Sequence, residues 1–237
     1  MSIESANAAP PNFFVSIHIP KTGGTTLGQV LNQAFNYRVL MDYAPFDAYA
    51  SCDPRIRAGR DFISSFFRGI HGHCNVRRHL DLFPDAQYIS CVRHPVDRII
   101  SQYLHELNEN SSEALFHKDI VEGRMSVVDF ASITGVGGAM FRHLEGLEIE
   151  KYDLILITEA LPVSLRLLQA KMRDLDLAKH FGSPIRLPVT NSHKQRKKII
   201  EFDEKTRSEI YLRAPLDVEV YRRSVELFKE QARIHLG

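Results

Sequence analysis

Residues 17–26 read IHIPKTGGTT: one lysine, two glycines and a pair of threonines between an apolar run and an amphipathic segment. The run that leads in, FFVSIHI (13–19), is rich in β-branched and aromatic residues and predicts a buried strand. The segment that follows, TTLGQVLNQAF (25–35), spaces Leu27, Val30, Leu31 and Phe35 at helical intervals. A strand that ends in a glycine-bearing turn and feeds a helix makes an anion cradle. Main-chain N–H groups converge there, the helix N-terminus adds partial positive charge, and glycine lets the backbone approach a ligand closely. Gly23 and Gly24 supply that bare backbone, Lys21 a full charge, and Thr22, Thr25 and Thr26 hydroxyls. The set suits a phosphate or sulfate ester. The order differs from the GxxxxGK[ST] nucleotide loop, in which the lysine follows the glycines.

Two more units repeat the strand-then-helix logic. AQYISCV (86–92) is an apolar strand followed by RHPVDRIISQYLHEL (93–107), where Pro95 suits a first helical turn and Ile99, Ile100, Tyr103, Leu104 and Leu107 form an apolar face. YDLILIT (152–158) precedes EALPVSLRLLQAKM (159–172) in the same way. A last helix is predicted after Pro215, with Val218, Tyr221, Val225 and Phe228 on one side. Repeated strand–helix units imply right-handed crossovers and a parallel sheet covered by helices on both faces, an α/β fold. A chain of 237 residues fits one domain. Residues 1–12, small, polar and proline-bearing, read as a loose tail. Residues 108–150 read as a helical insertion or lid over the sheet edge, broken at TGVGGAM (134–140).

Basic and acidic residues leave a formal charge of +1, which argues against bulk nucleic-acid binding but not against a local basic pocket. Cys52, Cys74 and Cys91 form neither an even set nor a CxxC pair, so a disulfide framework and a structural zinc site are both disfavoured. The opening MSIESANAAPPN has no basic and apolar regions of a signal peptide, and no run is long enough to span a bilayer. The expectation is a soluble, cytoplasmic protein.

Two stretches together resemble a known family. HIPKTGGTTL (18–27) is similar to the 5′-phosphosulfate-binding loop of sulfotransferases. VRHPVDRIISQYLH (92–105) is similar to their 3′-phosphate-binding segment, with Arg93 at the strand end and Ser101 eight residues later on the helix. GIHGHCNV (69–76) carries a His-Gly-His pair, His71 and His73, between the two, as the heparan sulfate 2-O and uronyl sulfotransferases do. The resemblance implies a P-loop-like three-layer fold with a central parallel sheet flanked by helices. It also implies the donor 3′-phosphoadenosine 5′-phosphosulfate (PAPS) and, through the likeness to the carbohydrate branch, an acceptor hydroxyl on a glycan or glycolipid.

Within that resemblance Lys21 neutralises the phosphosulfate and stabilises charge growing on the bridging oxygen. Arg93 and Ser101 hold the 3′-phosphate. His73 matches the family's catalytic base, and His71 either shares that task or orients the site. Where a Mg²⁺-dependent nucleotidase would place an aspartate after the second strand, this chain has Arg93, so no metal is expected. Arg98 is read as solvated or ion-paired, and the basic run SHKQRKK (192–198) as a solvated face. Other readings stay open: a metal-dependent hydrolase that uses HGHC as half a ligand set, a nucleotide-dependent kinase, or a nucleotide-binding module without catalysis.

Overall fold

A computed structural model of the chain describes residues 13–43, 59–108, 116–174 and 200–237. The expected N-terminal tail, Cys52 and the basic run at 192–198 lie outside the described residues. Five strands among the described residues form one sheet: β1 (Phe14–Ile17), β2 (Val39–Asp42), β3 (Gly69–Gly72), β4 (Gln87–Val92) and β5 (Leu154–Ile157). Every pairing is parallel, and the order is β2–β3–β1–β4–β5. Successive strand residues face opposite sides of a sheet. All four residues of β1 are at most 1% exposed, so both faces of the sheet are covered.

The helices are α1 (Gly24–Ala34), α2 (Arg60–Phe66), α3 (Arg77–Leu80), α4 (Pro95–Asn108), α5 (His117–Val121), α6 (Val127–Ala131), α7 (Thr134–Gly137), α8 (Ala139–Leu144), α9 (Leu161–Asp174), α10 (Glu204–Leu212) and α11 (Pro215–Leu236). The main core joins the sheet to Leu27, Val30 and Leu31 of α1, Leu165 and Leu168 of α9, and Val220 and Phe228 of α11. The inward face of α4 looks elsewhere. Val96 and Ile99 join Phe130 of α6, Val136 of α7 and Ile210 of α10 in a second, all-helical core. The stretch TGVGGAM does break the helical run: α7 ends at Gly137 and α8 starts at Ala139, with Gly138 between them at φ −117° and ψ 25°, outside the helical region.

Two strands fall where no strand pattern is legible. β3 is Gly-Ile-His-Gly, and glycine is a poor strand former. Gly72 is there because a β-carbon would lie 1.7 Å from the Asp42 carbonyl oxygen of β2. That close approach brings the His71–His73 stretch against its neighbours.

The strand order dictates where a ligand can sit. β1 lies between β3 and β4, so the chain leaves β1 toward one sheet edge and leaves β4 toward the other. The loops after β1 and β4 therefore diverge and open a crevice at the carboxyl ends of adjacent strands, the place where open parallel sheets bind ligands. Lys21 follows β1, and Arg93 follows β4.

Candidate active site

The loop after β1 is held by its own side chains and by two neighbouring strand ends. His18 N–H bonds to Gly72 O at 2.8 Å, carrying the β1–β3 ladder one residue further. The Thr22 hydroxyl donates to Ile19 O at 2.9 Å, and the side chain is fully buried, so that hydroxyl closes the turn. Lys21 adopts φ 68° and Gly23 φ 86°. Arg93 Nη1 donates to Lys21 O at 3.3 Å, and Thr158 Oγ1 lies 2.6 Å from Thr22 O and 2.9 Å from Val92 O. Two successive carbonyls are thus drawn toward the ends of β4 and β5. Across a trans peptide the N–H points opposite to the C=O. The amides of Thr22 and Gly23 accordingly turn away from Arg93 and Thr158.

Helix α1 continues this arrangement. Gly23 is its N-cap and gives no side-chain cap, and its first turn carries no acidic residue. The leading N–H groups and the hydroxyls of exposed Thr25 and half-exposed Thr26 stand at the positive end of the helix dipole. Gly24 packs tightly: a β-carbon there would sit 1.8 Å from Cδ2 of His18.

On the other side of the crevice, Pro95 opens α4 and the His94 N–H donates to Glu159 Oε1 at 2.8 Å. Arg93 is half-buried at the helix mouth, and Ser101 is 8% exposed on the helix. Six residues separate Pro95 from Ser101, about 9 Å along the axis. A group touching both Arg93 and Ser101 must lie along the first two turns. Arg98 is fully buried, not solvated. It donates to Gln102 Oε1 and Val136 O, and its Nε is 3.5 Å from Asp217 Oδ2.

Three imidazoles cluster behind the loop after β1. His71, in β3, is fully buried with Nδ1 2.9 Å from Ser16 Oγ. Its Nε2 has no hydrogen bond of ordinary geometry, although the Gly24 main chain beside it favours the charged form. His73, half-buried just past the strand, has Nδ1 2.8 Å from His18 O. A carbonyl only accepts, so Nδ1 carries the proton and Nε2 keeps its lone pair. His18 lies between the two, stacked on His73 at 4.0 Å and on His71 at 5.1 Å between ring centroids. Burial, then the neighbouring His73 and His71, push His18 down to about 2. Burial and then His73 push His71 down to about 4, and burial lowers His73. At neutral pH the whole cluster is uncharged.

Of the residues singled out in the sequence, Arg93 meets the carbonyl of Lys21, Gly23 to Thr26 follow at the start of α1, and Ser101 lies two turns along α4, while Thr22 spends its hydroxyl inside the loop. His71 and His73 stand behind the loop, joined to it through His18. His18, Tyr43 and Thr158 carried no local signal. Tyr43 touches His18 Nδ1 at 3.0 Å. The three-residue grouping among the described residues that could ligate a metal is Asp42, Cys74 and His79, without His71 or His73. Arg78 already pairs with Asp42 there, at 3.1 Å from Oδ2, and a guanidinium in that position opposes a cation.

A sequence model of the sulfotransferase family matches residues 5–135, just over half of the chain. That span includes the loop after β1, the histidine pair and Arg93. Among solved structures, the mouse sulfotransferase SULT7A1 complexed with PAP is similar at 15% identity, with a TM-score of 0.49, over 92% of this chain and 90% of that one. No curated protein matches the sequence.

Proposed function

For a chain that belongs to the sulfotransferase family, we propose PAPS as the donor and a carbohydrate hydroxyl as the acceptor, with His73 as the base. The observation that carries this reading is the meeting of two segments far apart in sequence: Arg93 donates to the carbonyl of Lys21 across 72 positions. One crevice then offers an ammonium, a guanidinium, first-turn amides and hydroxyls, all donors, to a ligand bearing two anionic ends. That donor set fits a nucleotide with a phosphosulfate at one end and a ribose phosphate at the other.

PAPS supplies an activated sulfuryl group, which moves as neutral SO₃ from a phosphate oxygen to a hydroxyl. Lys21, the amides at the start of α1 and the hydroxyls of Thr25 and Thr26 bind the 5′ end, with Thr22, Gly23 and Gly24 contributing main chain. Lys21 also stabilises the charge that grows on the leaving oxygen, and only that interaction raises the chemical rate. Arg93 takes the 3′-phosphate through its planar fork, and Ser101 adds a hydroxyl donor. His73 Nε2 accepts the acceptor's proton, since its Nδ1 is committed to the His18 carbonyl. His71 is fully buried, and this supports an orienting part for it. The His-Gly-His pair is what favours a sugar acceptor over other alcohols.

The test has two arms. Calorimetry with adenosine 3′,5′-bisphosphate (PAP) should show uptake that is lost in Arg93→Ala. Incubation with PAPS and a panel of glycans and simple alcohols, followed by mass spectrometry, should show an added sulfo group on a glycan. Folded protein that takes up no PAP contradicts the donor assignment, and transfer confined to simple alcohols contradicts the acceptor class.

A further inference from the structure

His18 has no chemical task in the mechanism above, yet its ring touches both halves of the site. It is 6% exposed. One neighbour is His73, nearly parallel to it at 4.0 Å and 25°. Its Cδ2 edge occupies the space that a β-carbon on Gly24 would fill, at the first residue of α1. Its Nδ1 is held by the Tyr43 hydroxyl, and the Tyr43 ring stands edge-on to His73 at 4.9 Å. A single hydrogen bond from His73 Nδ1 to the His18 carbonyl selects a tautomer but leaves the imidazole free to swing. Two rings packed against it, His18 on one face and Tyr43 to the side, remove that freedom.

We propose that His18 is a positioning residue: its ring is the platform that holds His73 in one plane, with Nδ1 bound to the His18 carbonyl and Nε2 open to take the acceptor's proton. This rests on the reading of His73 as the base. The platform must also be neutral, because a charged ring at that distance would oppose proton uptake by His73. Burial first, and then the groups around it, enforce neutrality. His71 faces it from β3, Lys21 from the loop after β1, Tyr43 from the end of β2 and His143 from α8, and none carries negative charge at neutral pH. Pushed down to about 2 by burial and these neighbours, His18 is a poor proton acceptor and leaves that task to His73. It keeps water from one face of His73 and hands the same geometry to the anion loop through Gly24.

The test reads His73 itself, so it needs no knowledge of the acceptor. Long-range ¹H–¹⁵N spectra of histidine-labelled protein, with His73→Ala to assign the resonance, report its tautomer and titration. Wild type should show the Nδ1–H form titrating below the ordinary 6.5. His18→Phe keeps a flat ring and should match wild type. His18→Ala admits water and should show averaged tautomers, with the titration raised by about half a unit or more toward 6.5. If the alanine variant does not fold, His18→Asn, which keeps a polar partner for Tyr43 but no ring, takes its place.

In the transfer assay kcat should fall roughly tenfold for His18→Ala or His18→Asn and less than about threefold for His18→Phe, with PAP affinity nearly unchanged. An unaltered His73 in the ringless variant overturns the proposal, as does a phenylalanine variant that behaves like alanine. Equal losses in kcat and PAP affinity also overturn it, since they report collapse of the loop. Full turnover by His73→Ala would instead refute the base assignment, whatever the spectra show.

Discussion

Position 21 makes two opposed demands. Its φ of 68° belongs to the left-handed region, which costs an L side chain about 1–2 kcal/mol, yet the proposed chemistry needs an ammonium there. The two demands separate experimentally. Lys21→Ala keeps the strain and loses the charge, and kcat should fall by roughly 10²–10³, about 2–4 kcal/mol of transition-state stabilisation. Lys21→Gly should be equally slow but more stable, with a thermal midpoint above that of the alanine variant by a few degrees. Near-normal turnover by either variant would remove Lys21 from the mechanism, and equal midpoints would remove the strain. Lys21, Gly23 and Gly24 were legible because their task is local: lysine, turn and helix start are adjacent in the chain. His18 was not, because what defines it is contact with His73, 55 positions away.

At the level of elements, β5 reaches the site through one hydroxyl. Thr158 touches the carbonyls of Thr22 and Val92 and so ties the anion loop to the end of β4. Thr158→Val keeps the shape and loses the donor. PAP affinity should weaken roughly tenfold, with Thr158→Ser restoring it. Calorimetry on the three proteins decides this, and an unchanged valine variant would show that the loop is held without Thr158. The strands themselves divide by composition. β1, β4 and β5 announce themselves as apolar runs, whereas β2 is four residues at the sheet edge and β3 is half glycine. β3 is a strand through contact alone, its ladder to β1 and β2 outweighing the weak local preference. Helix α4 was legible as amphipathic, but its partner was not: its face meets other helices, and Arg98 is buried against Asp217 of α11. Removing that guanidinium leaves a buried carboxylate without its counter-charge, held only by main-chain N–H groups such as that of Phe141. Arg98→Ala should therefore lose about 3–5 kcal/mol of stability in urea unfolding, and a loss below about 1 kcal/mol would show the pair to be dispensable.

For the molecule as a whole, buried imidazoles set the response to acid. His18, His71 and His143 titrate in the folded chain near 2, 4 and 4, each chiefly through burial. Between those values and 6.5 the unfolded chain binds protons that the folded chain does not, so their contribution is full above pH 6.5 and declines as pH falls. Asp217 acts in the opposite sense. Burial raises it to about 6 from 3.8, so the folded chain takes up that proton first and gains stability on acidification through this window. Three groups against one leave a net loss of at most about 3 kcal/mol per pH unit near pH 5. Urea midpoints should be clearly lower at pH 5 than at pH 7, and an equal or higher midpoint at pH 5 would mean that these rings are hydrated.

The bond from Thr158 to Thr22 joins segments 136 positions apart. Contacts of such separation are among the last a chain can make. A polypeptide emerging from the ribosome acquires the amino-terminal loop and Arg93 early, but the Thr158 tie on that loop waits until the fifth strand has been synthesised and has docked. Nascent chains stalled before that strand should consequently hold nucleotide more weakly than the full chain, so full binding strength arrives with the late part of translation.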